Sequence, residues 1–384
     1  MCQGSAFRVI KKGAGVDLSG YFCSRPFSLM EIHGDLEAFA CCPDWLPVKL
    51  GNMETNNLME VWNALPIQEI RRSILEGDYS YCDKLRCPYI SGRGLEKVEK
   101  VSQPYKDIIA EKRVVLEAPP LEIALCYDLT CNLSCPSCRK SKIVLRSGSE
   151  FEKKRVFTEK ILDFLETHGR SQRIILRVSG SGEPLASPLF LQLLTRLDAN
   201  QLPLLELILQ TNGTLFTPRL WQQLSKAKRA IQYLSISIDA ASEATYRKVR
   251  RGGNWNRLQE NLAFIAELKK RGEILLVSFN FVVQNENFFE MADFVRWAQS
   301  LGVVNEIFFT PVFDLKTWSK EEFDRQCIWN PDHPHYPQLL EVLKDPIFDS
   351  PKVFLANLSD IREQALKKST HKAILSQSEL SKSL

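Results

Sequence analysis

The sequence predicts an α/β fold, an open (β/α)6 partial barrel with a small cysteine-rich domain before it and an extension after it. Three observations carry the prediction. Between Leu121 and Val312, short β-branched runs alternate with longer amphipathic ones. Strands that alternate with helices imply a parallel sheet with right-handed crossovers, and six units are too few to close an eight-stranded barrel. Cysteines crowd ahead of the alternation and the pattern is lost after Val312, which divides the chain into residues 1–115, 116–313 and 314–384.

Taken in order, the first domain spaces its cysteines as Cys23, Cys41-Cys42-Pro43 and Cys82-x4-Cys87-Pro88. Between them lie the turn Gly51-Asn52, the segment Leu58-Met-Glu-Val-Trp62-Asn63, and an amphipathic stretch from Ile70 closed by Gly77. Adjacent residues rarely both point at one site, so Cys41 or Cys42 would join Cys23, Cys82 and Cys87 in a four-thiolate metal site. Structural zinc and an iron–sulfur cluster both accept such a set. In the middle domain the strands are expected at Leu121–Cys126, Ile174–Ser179, Leu204–Gln210, Tyr233–Ile238, Leu275–Val283 and Glu306–Val312. Helices are expected at Thr158–His168, Pro188–Asp198, Pro218–Ala227, Asn254–Lys270 and Asn287–Ser300. Thr158 and Thr217-Pro218 read as helix starts, and Gly169, Gly272 and Gly302 as stops. The extension holds a short helix near Lys316, a proline-stiffened surface loop with His333 and His335, and the lone thiol Cys327.

The most informative stretch follows the first of these strands. Cys131, Cys135 and Cys138 form a C-x3-C-x2-C run with no fourth cysteine close by. A [4Fe–4S] cluster normally takes four thiolates. Three on one loop hold three irons and leave the fourth open to a small molecule, at the strand end where barrels build active sites.

With its preceding Tyr127-Asp128-Leu129-Thr130, this run resembles the cluster motif of the radical S-adenosylmethionine (SAM) enzymes. The resemblance implies a partial TIM-like barrel and an open iron that chelates the amine and carboxylate of SAM. It also implies reductive cleavage of SAM to a 5′-deoxyadenosyl radical, which takes hydrogen from a substrate C–H bond. Further landmarks follow in family order. Ser181-Gly182-Glu183-Pro184 resembles a Gly-Gly-Glu-Pro turn that meets the SAM amine, with Gly182 letting the backbone come close to a ligand. Asn212 lies in a Thr-Asn-Gly strand end, and alternation puts Ser235, Ser237 and Asp239 on one face, toward the ribose. Arg250 or Arg251 matches the arginine that approaches the SAM carboxylate. Loss of Arg250 is therefore expected to weaken SAM binding and leave the fold intact. Phe279–Gln284 offers an apolar wall for adenine.

The early cysteines, with the Gly-Asn turn and the tryptophan segment, resemble the SPASM/twitch auxiliary-cluster module, here ahead of the barrel. That implies a second [4Fe–4S] cluster beside the SAM-binding one. Cys327 is the candidate hydrogen-atom donor to a substrate radical. Relatives with such modules modify peptides, a sulfatase residue, or sugars and aminocyclitols. Peptide or protein modification ranks first, oxidation of a sugar or other small alcohol second, and a non-catalytic iron–sulfur or zinc scaffold last. Flavodoxin or ferredoxin is the implied reducing partner.

Composition bounds these readings. The chain of 384 residues is 44% hydrophobic and 25% charged, with a formal net charge of +4 that gives no argument for nucleic acid. No window approaches a membrane helix, and the first residues lack the layout of an export signal. Eleven cysteines without that layout point to metal-bound thiolates in a reducing cytoplasm.

Overall fold

The computed structural model describes residues 17–91, 94–178 and 181–367. They fold as two compact units. The first takes the chain up to Cys131, Val144–Gln210 and Trp221–Gln232; the second takes Asn132–Ile143, Thr211–Leu220 and the chain from Tyr233.

In the first unit, β1 (Tyr21–Phe22) pairs antiparallel with β5 (Glu96–Lys97). The main sheet holds β2 (Leu29–Ile32), β3 (Glu37–Phe39), β4 (Lys49–Asn52), β6 (Glu122–Leu125), β7 (Ile174–Val178) and β8 (Leu205–Thr211), in the order β8-β7-β6-β2-β3-β4. β6, β7 and β8 run parallel, and β2 lies parallel beside β6 with Leu29 opposite Glu122. β3 and β4 then turn back antiparallel. A strand from the cysteine-rich segment thus continues the parallel sheet.

The junction is clasped by the tryptophan segment. Asn57 and Glu60 form a capping box at the start of the helix Leu58–Trp62. Beyond it, Trp62 Nε1 donates to Ala118 O at 3.0 Å, and Asn63 exchanges hydrogen bonds with Leu116 O and N at 2.8 Å. This motif fastens the strand leading into β6.

The helix expected from Thr158 begins nine residues earlier, spanning Ser149–His168 after Gly148 at φ +92. Lys154, Phe157, Thr158, Ile161, Leu162 and Leu165 form its buried face. Thr158 is therefore a mid-helix core residue, its hydroxyl bonded to Lys154 O and to the Tyr127 hydroxyl. Its neighbour helix Pro188–Arg196 starts as expected, with Ser187 accepting from Phe190 N.

In the second unit β9 (Ile231–Ser237), β10 (Leu276–Val283), β11 (Glu306–Pro311) and β12 (Val353–Phe354) lie parallel in that order. The sheet closes on itself in neither unit, so the open α/β architecture is as expected. Asn254 and Ser242 cap the helices Trp255–Lys270 and Glu243–Val249. Gly272 and Gly302 end helices at positive φ. Gly169 ends its helix in the right-handed region instead. The extension adds β12 and the helix Tyr336–Leu343, and the helix near Lys316 starts at Lys320 on a Ser319/Glu322 capping box.

Phe279 and Phe281 do not form a cleft wall. Both are fully buried against Phe294, and Phe279 stacks on Trp297. Strand alternation sends these aromatics to the helix-covered side and leaves Asn280 and Val282 on the other. Among the described residues, no helix is long and apolar enough to cross a membrane.

Candidate functional site

Cys23, Cys41, Cys82 and Cys87 line one small cavity in the first unit, together with Arg25, Trp45, Leu46, Ile74, Tyr79 and Tyr89. Of the two adjacent cysteines, Cys41 faces the cavity and Cys42 is not among its lining residues. Cys41 is placed by the turn after β3, where Trp45 N and Leu46 N both donate to Cys42 O. Trp45 Nε1 comes round to donate to Cys41 Sγ at 3.2 Å. Cys82 N bonds Tyr79 O, and Cys87 N bonds Asp83 O. Burial pushes the Cys23 thiol up to about 12, with Cys41 and Cys87 adding to the rise, and burial likewise raises Cys82. Raised in this way the thiols stay neutral on their own, and as thiolates they would need a cationic guest, since buried charges must be paired. Among the described residues no three His, Cys, Asp or Glu side chains are gathered for a single metal ion; these thiols instead line a cavity. The donor set fits an iron–sulfur cluster.

Cys131 ends the first unit's long N-terminal stretch, and the turn expected to meet SAM lies against the residues just before it. Asp128 accepts from Thr130 N, Thr130 Oγ1 and Ser187 Oγ. Glu183 N donates to Thr130 O at 2.8 Å, and the buried Glu183 carboxylate accepts from Leu185 N. The reason for glycine at 182 differs from the expectation. A Cβ there would lie 2.6 Å from both Asp128 O and Thr130 O, so the close approach is to the protein's own backbone. Ser181 donates a hydrogen bond toward the buried Cys126 thiol. Ser179 and Gly180, at the start of that turn, lie outside the described residues.

The rest of the loop belongs to the second unit, where a network holds it. Asn212 Nδ2 donates to Asn132 Oδ1 at 2.9 Å, Asn132 Nδ2 donates to Thr214 Oγ1 at 2.9 Å, and Thr214 Oγ1 donates back to Asn212. Ser134 N donates to Arg251 O at 2.9 Å, while the Arg251 guanidinium reaches Ser134 Oγ and Lys140 O. Cys138 N and Arg139 N both bond Cys135 O, and the Arg139 side chain donates to Cys138 Sγ at 3.3 Å. Arg250 NH1 approaches Cys135 Sγ at 3.9 Å. Burial pushes the Cys135 thiol up and Arg250 opposes it. Cys131 and Cys135 are buried and Cys138 is half-buried, with cationic donors aimed at sulfur, which suits thiolate ligands.

Arg250 has a role the sequence did not show. Its Nε lies 2.8 Å from Asp239 Oδ2, and the two side chains are only 12% and 2% exposed. Burial raises the Asp239 carboxyl and Arg250 lowers it again. Asp239 also leaves the strand alternation. β9 ends at Ser237, and Asp239 adopts φ +64, with its Oδ1 accepting from Val282 N and its carbonyl from Asn287 Nδ2. Ser235 accepts from Asn280 Nδ2, and Ser237 is half-buried at the strand end. Asn132, Thr214, Asn287 and Glu290 escaped sequence reasoning. Glu290 accepts from Ala241 N, Ser242 and Thr245, fixing the turn after Asp239. A capping serine three residues before a threonine gave no hint of so distant a partner.

Cys327 sits in the turn after the helix Lys320–Asp324. Burial, with Asp324 and Asp314 nearby, pushes its thiol up to about 11. His335 bonds Asn285 Oδ1 and His333 bonds Arg325 O, both as exposed loop residues.

Comparison with known proteins identifies two stretches. Residues 129–298 match the radical SAM superfamily, and residues 23–88 match SPASM, an iron–sulfur cluster-binding domain. An AdoMet-dependent heme synthase of Methanosarcina barkeri (strain Fusaro / DSM 804) is 31% identical over 183 residues, 47% of this chain and 48% of the relative. A GTP 3′,8-cyclase of Lactiplantibacillus plantarum (strain ATCC BAA-793 / NCIMB 8826 / WCFS1) is 28% identical over 195 residues, 50% of this chain and 55% of the relative. The chain thus spans about half the length of the curated relatives it matches. The solved structure of native anSMEcpe with bound AdoMet and Cp18Cys peptide aligns at a TM-score of 0.42 and 18% identity, over 62% of this chain and 63% of that one.

Proposed function

We propose that this chain, which joins a radical SAM domain to an N-terminal SPASM iron–sulfur domain, is an enzyme that reductively cleaves SAM and takes a hydrogen atom from a substrate C–H bond. One observation carries the reading: Cys131, Cys135 and Cys138 lie on a loop that the Asn132–Asn212–Thr214 network and Arg251 hold in place, with arginine donors at two of the three sulfurs. Cys131, Cys135 and Cys138 would hold a [4Fe–4S] cluster with one iron left for SAM, and that group would supply the electron for cleavage of the sulfonium.

The chain's residues hold and shield. Ser181, Gly182, Glu183, Asn212, Ser237, Asp239 and Arg250 are assigned to seating SAM. Gly182, Asp239 and Arg250 do so by fixing backbone and charge around them. Cys23, Cys41, Cys82 and Cys87 are assigned to a second [4Fe–4S] cluster. Cys327 is assigned as the hydrogen-atom donor, a role that needs the protonated thiol, and burial moves its titration further from neutral pH, up to about 11. A flavodoxin or ferredoxin would supply electrons, in the cytoplasm.

Peptide or protein modification remains the first substrate reading, from the resemblance of the N-terminal module. Oxidation or rearrangement of a small molecule is the second, favoured by relatives named for heme and GTP. Anaerobically reconstituted protein reduced with dithionite should form 5′-deoxyadenosine and methionine from SAM. The triple variant with Cys131, Cys135 and Cys138 changed to Ala should form none. Turnover by that variant would overturn the assignment. Incubation in deuterated peptide and small-molecule pools, followed by deuterium transfer into 5′-deoxyadenosine, separates the substrate classes.

A further inference from the structure

The four-thiol cavity contains two hydrogen-bond donors as well as its cysteines. Trp45 Nε1 donates to Cys41 Sγ at 3.2 Å. Arg25 lines the same cavity. Its NH1 donates to the Tyr89 hydroxyl at 2.9 Å, its NH2 lies 3.7 Å from Glu31, and the guanidinium sits 5.1 Å from the Tyr89 ring centroid. These contacts fix the plane of the guanidinium. Arg25 Nε is buried, and the Arg25 side chain also meets the Cys41 thiol.

Buried N–H groups are directed at acceptors, and here the Trp45 and Arg25 donors both converge on the Cys41 sulfur. The sulfides and thiolate sulfurs of an iron–sulfur cluster are acceptors. A tetrahedral zinc brings no sulfide, so it leaves such a donor only the thiolates already present. Pro26, Leu46, Ile74, Ile90 and Leu95 also line it and make the enclosure largely apolar, where hydrogen bonds and charges act more strongly than in water.

We infer that Arg25 and Trp45 set the redox potential of the N-terminal cluster by donating hydrogen bonds to its sulfur atoms, with both donors meeting at Cys41 Sγ. The inference rests on the reading of this site as an iron–sulfur centre. Reduction adds one negative charge to the cluster. Donors and a nearby guanidinium stabilise that charge and raise the potential. Arg25 and Trp45 are tuning residues, and neither needs to touch substrate.

The test uses the full chain carrying alanine at Cys131, Cys135 and Cys138, so that the N-terminal centre is alone. Metal analysis comes first, then a midpoint titration followed by electron paramagnetic resonance. Arg25→Leu in this background should lower the reduction equilibrium by about tenfold, a shift of about 59 mV for a one-electron couple. Trp45→Phe, close to isosteric, should shift it in the same direction by less. About four irons per chain with an unmoved midpoint in both variants overturns the inference and leaves the iron–sulfur reading standing. Stoichiometric zinc without iron overturns both. If Arg25→Leu fails to fold, Trp45→Phe alone decides.

Discussion

The two sets of thiols are built on opposite plans. Cys23, Cys41, Cys82 and Cys87 come from three separate segments and meet only because the N-terminal chain folds around one cavity. Cys131, Cys135 and Cys138 sit within eight consecutive residues, and side chains and backbone that bind no metal already fix their loop. In the first plan a bound guest would be part of the fold, because closing the cavity gathers four thiols around it, with Cys41 and Cys87 buried. In the second, the protein's own hydrogen bonds prepare the loop beforehand, so a bound metal would cost little structural change.

The largest effect that could break this contrast comes from removing metal. Chelation should speed proteolysis within residues 23–88 by at least about tenfold, since folding there is coupled to the bound group. The loop around Cys131 should be cut no faster than before. Equal protection with and without metal would erase the distinction.

Next in size is the buried pair of Arg250 and Asp239. Arg250→Ala should destabilise the protein by about 3–5 kcal/mol, because it strands a carboxylate that is 2% exposed. This replaces the expectation that the fold would be indifferent to Arg250. Urea denaturation of the metal-free protein measures it, and the double change Arg250→Met with Asp239→Leu should recover most of the loss. Full stability in Arg250→Ala would mean the pair is not what holds this turn.

Gly182→Ala should cost about 1–3 kcal/mol by forcing the backbone at Asp128 and Thr130 apart. Thermal melting checks it, and an unchanged melting temperature would return Gly182 to a purely ligand-facing role. The smallest expected effect is Asn132→Ala, about 1 kcal/mol from a part-buried side-chain network. It should show as faster hydrogen exchange at Ser134 and Cys138 with global stability nearly kept. A loss as large as that of Arg250→Ala would mean the loop is less independent than described.

Much of this was readable in the chain. The six alternating strands follow from β-branched runs, and the capped helix starts at Pro188 and Pro218 from local chemistry that needs no distant partner. Thr158 misled because the buried face of its helix includes Lys154, a residue that reads as solvent-exposed; Gly148 followed by Glu150 and Glu152 was the better start signal. Cys41 could not be told from Cys42 because the choice depends on how a turn rotates two neighbouring side chains. Asn132, Thr214 and Glu290 stayed hidden because their partners lie 45 to 82 residues away. No local pattern encodes such a pairing.

The parallel pairing of β2 with β6 has a consequence for the order in which the chain is made. Leu29 must find Glu122, yet more than ninety residues separate them. At ordinary synthesis rates of about 5–20 residues per second, β2 waits several seconds for its partner. Three of the four N-terminal thiols, Cys41, Cys82 and Cys87, are translated within that interval, and Cys23 just before it. The ribosome therefore presents the cysteine cavity before the neighbouring strand exists, and an edge strand rich in apolar residues is left open until it does.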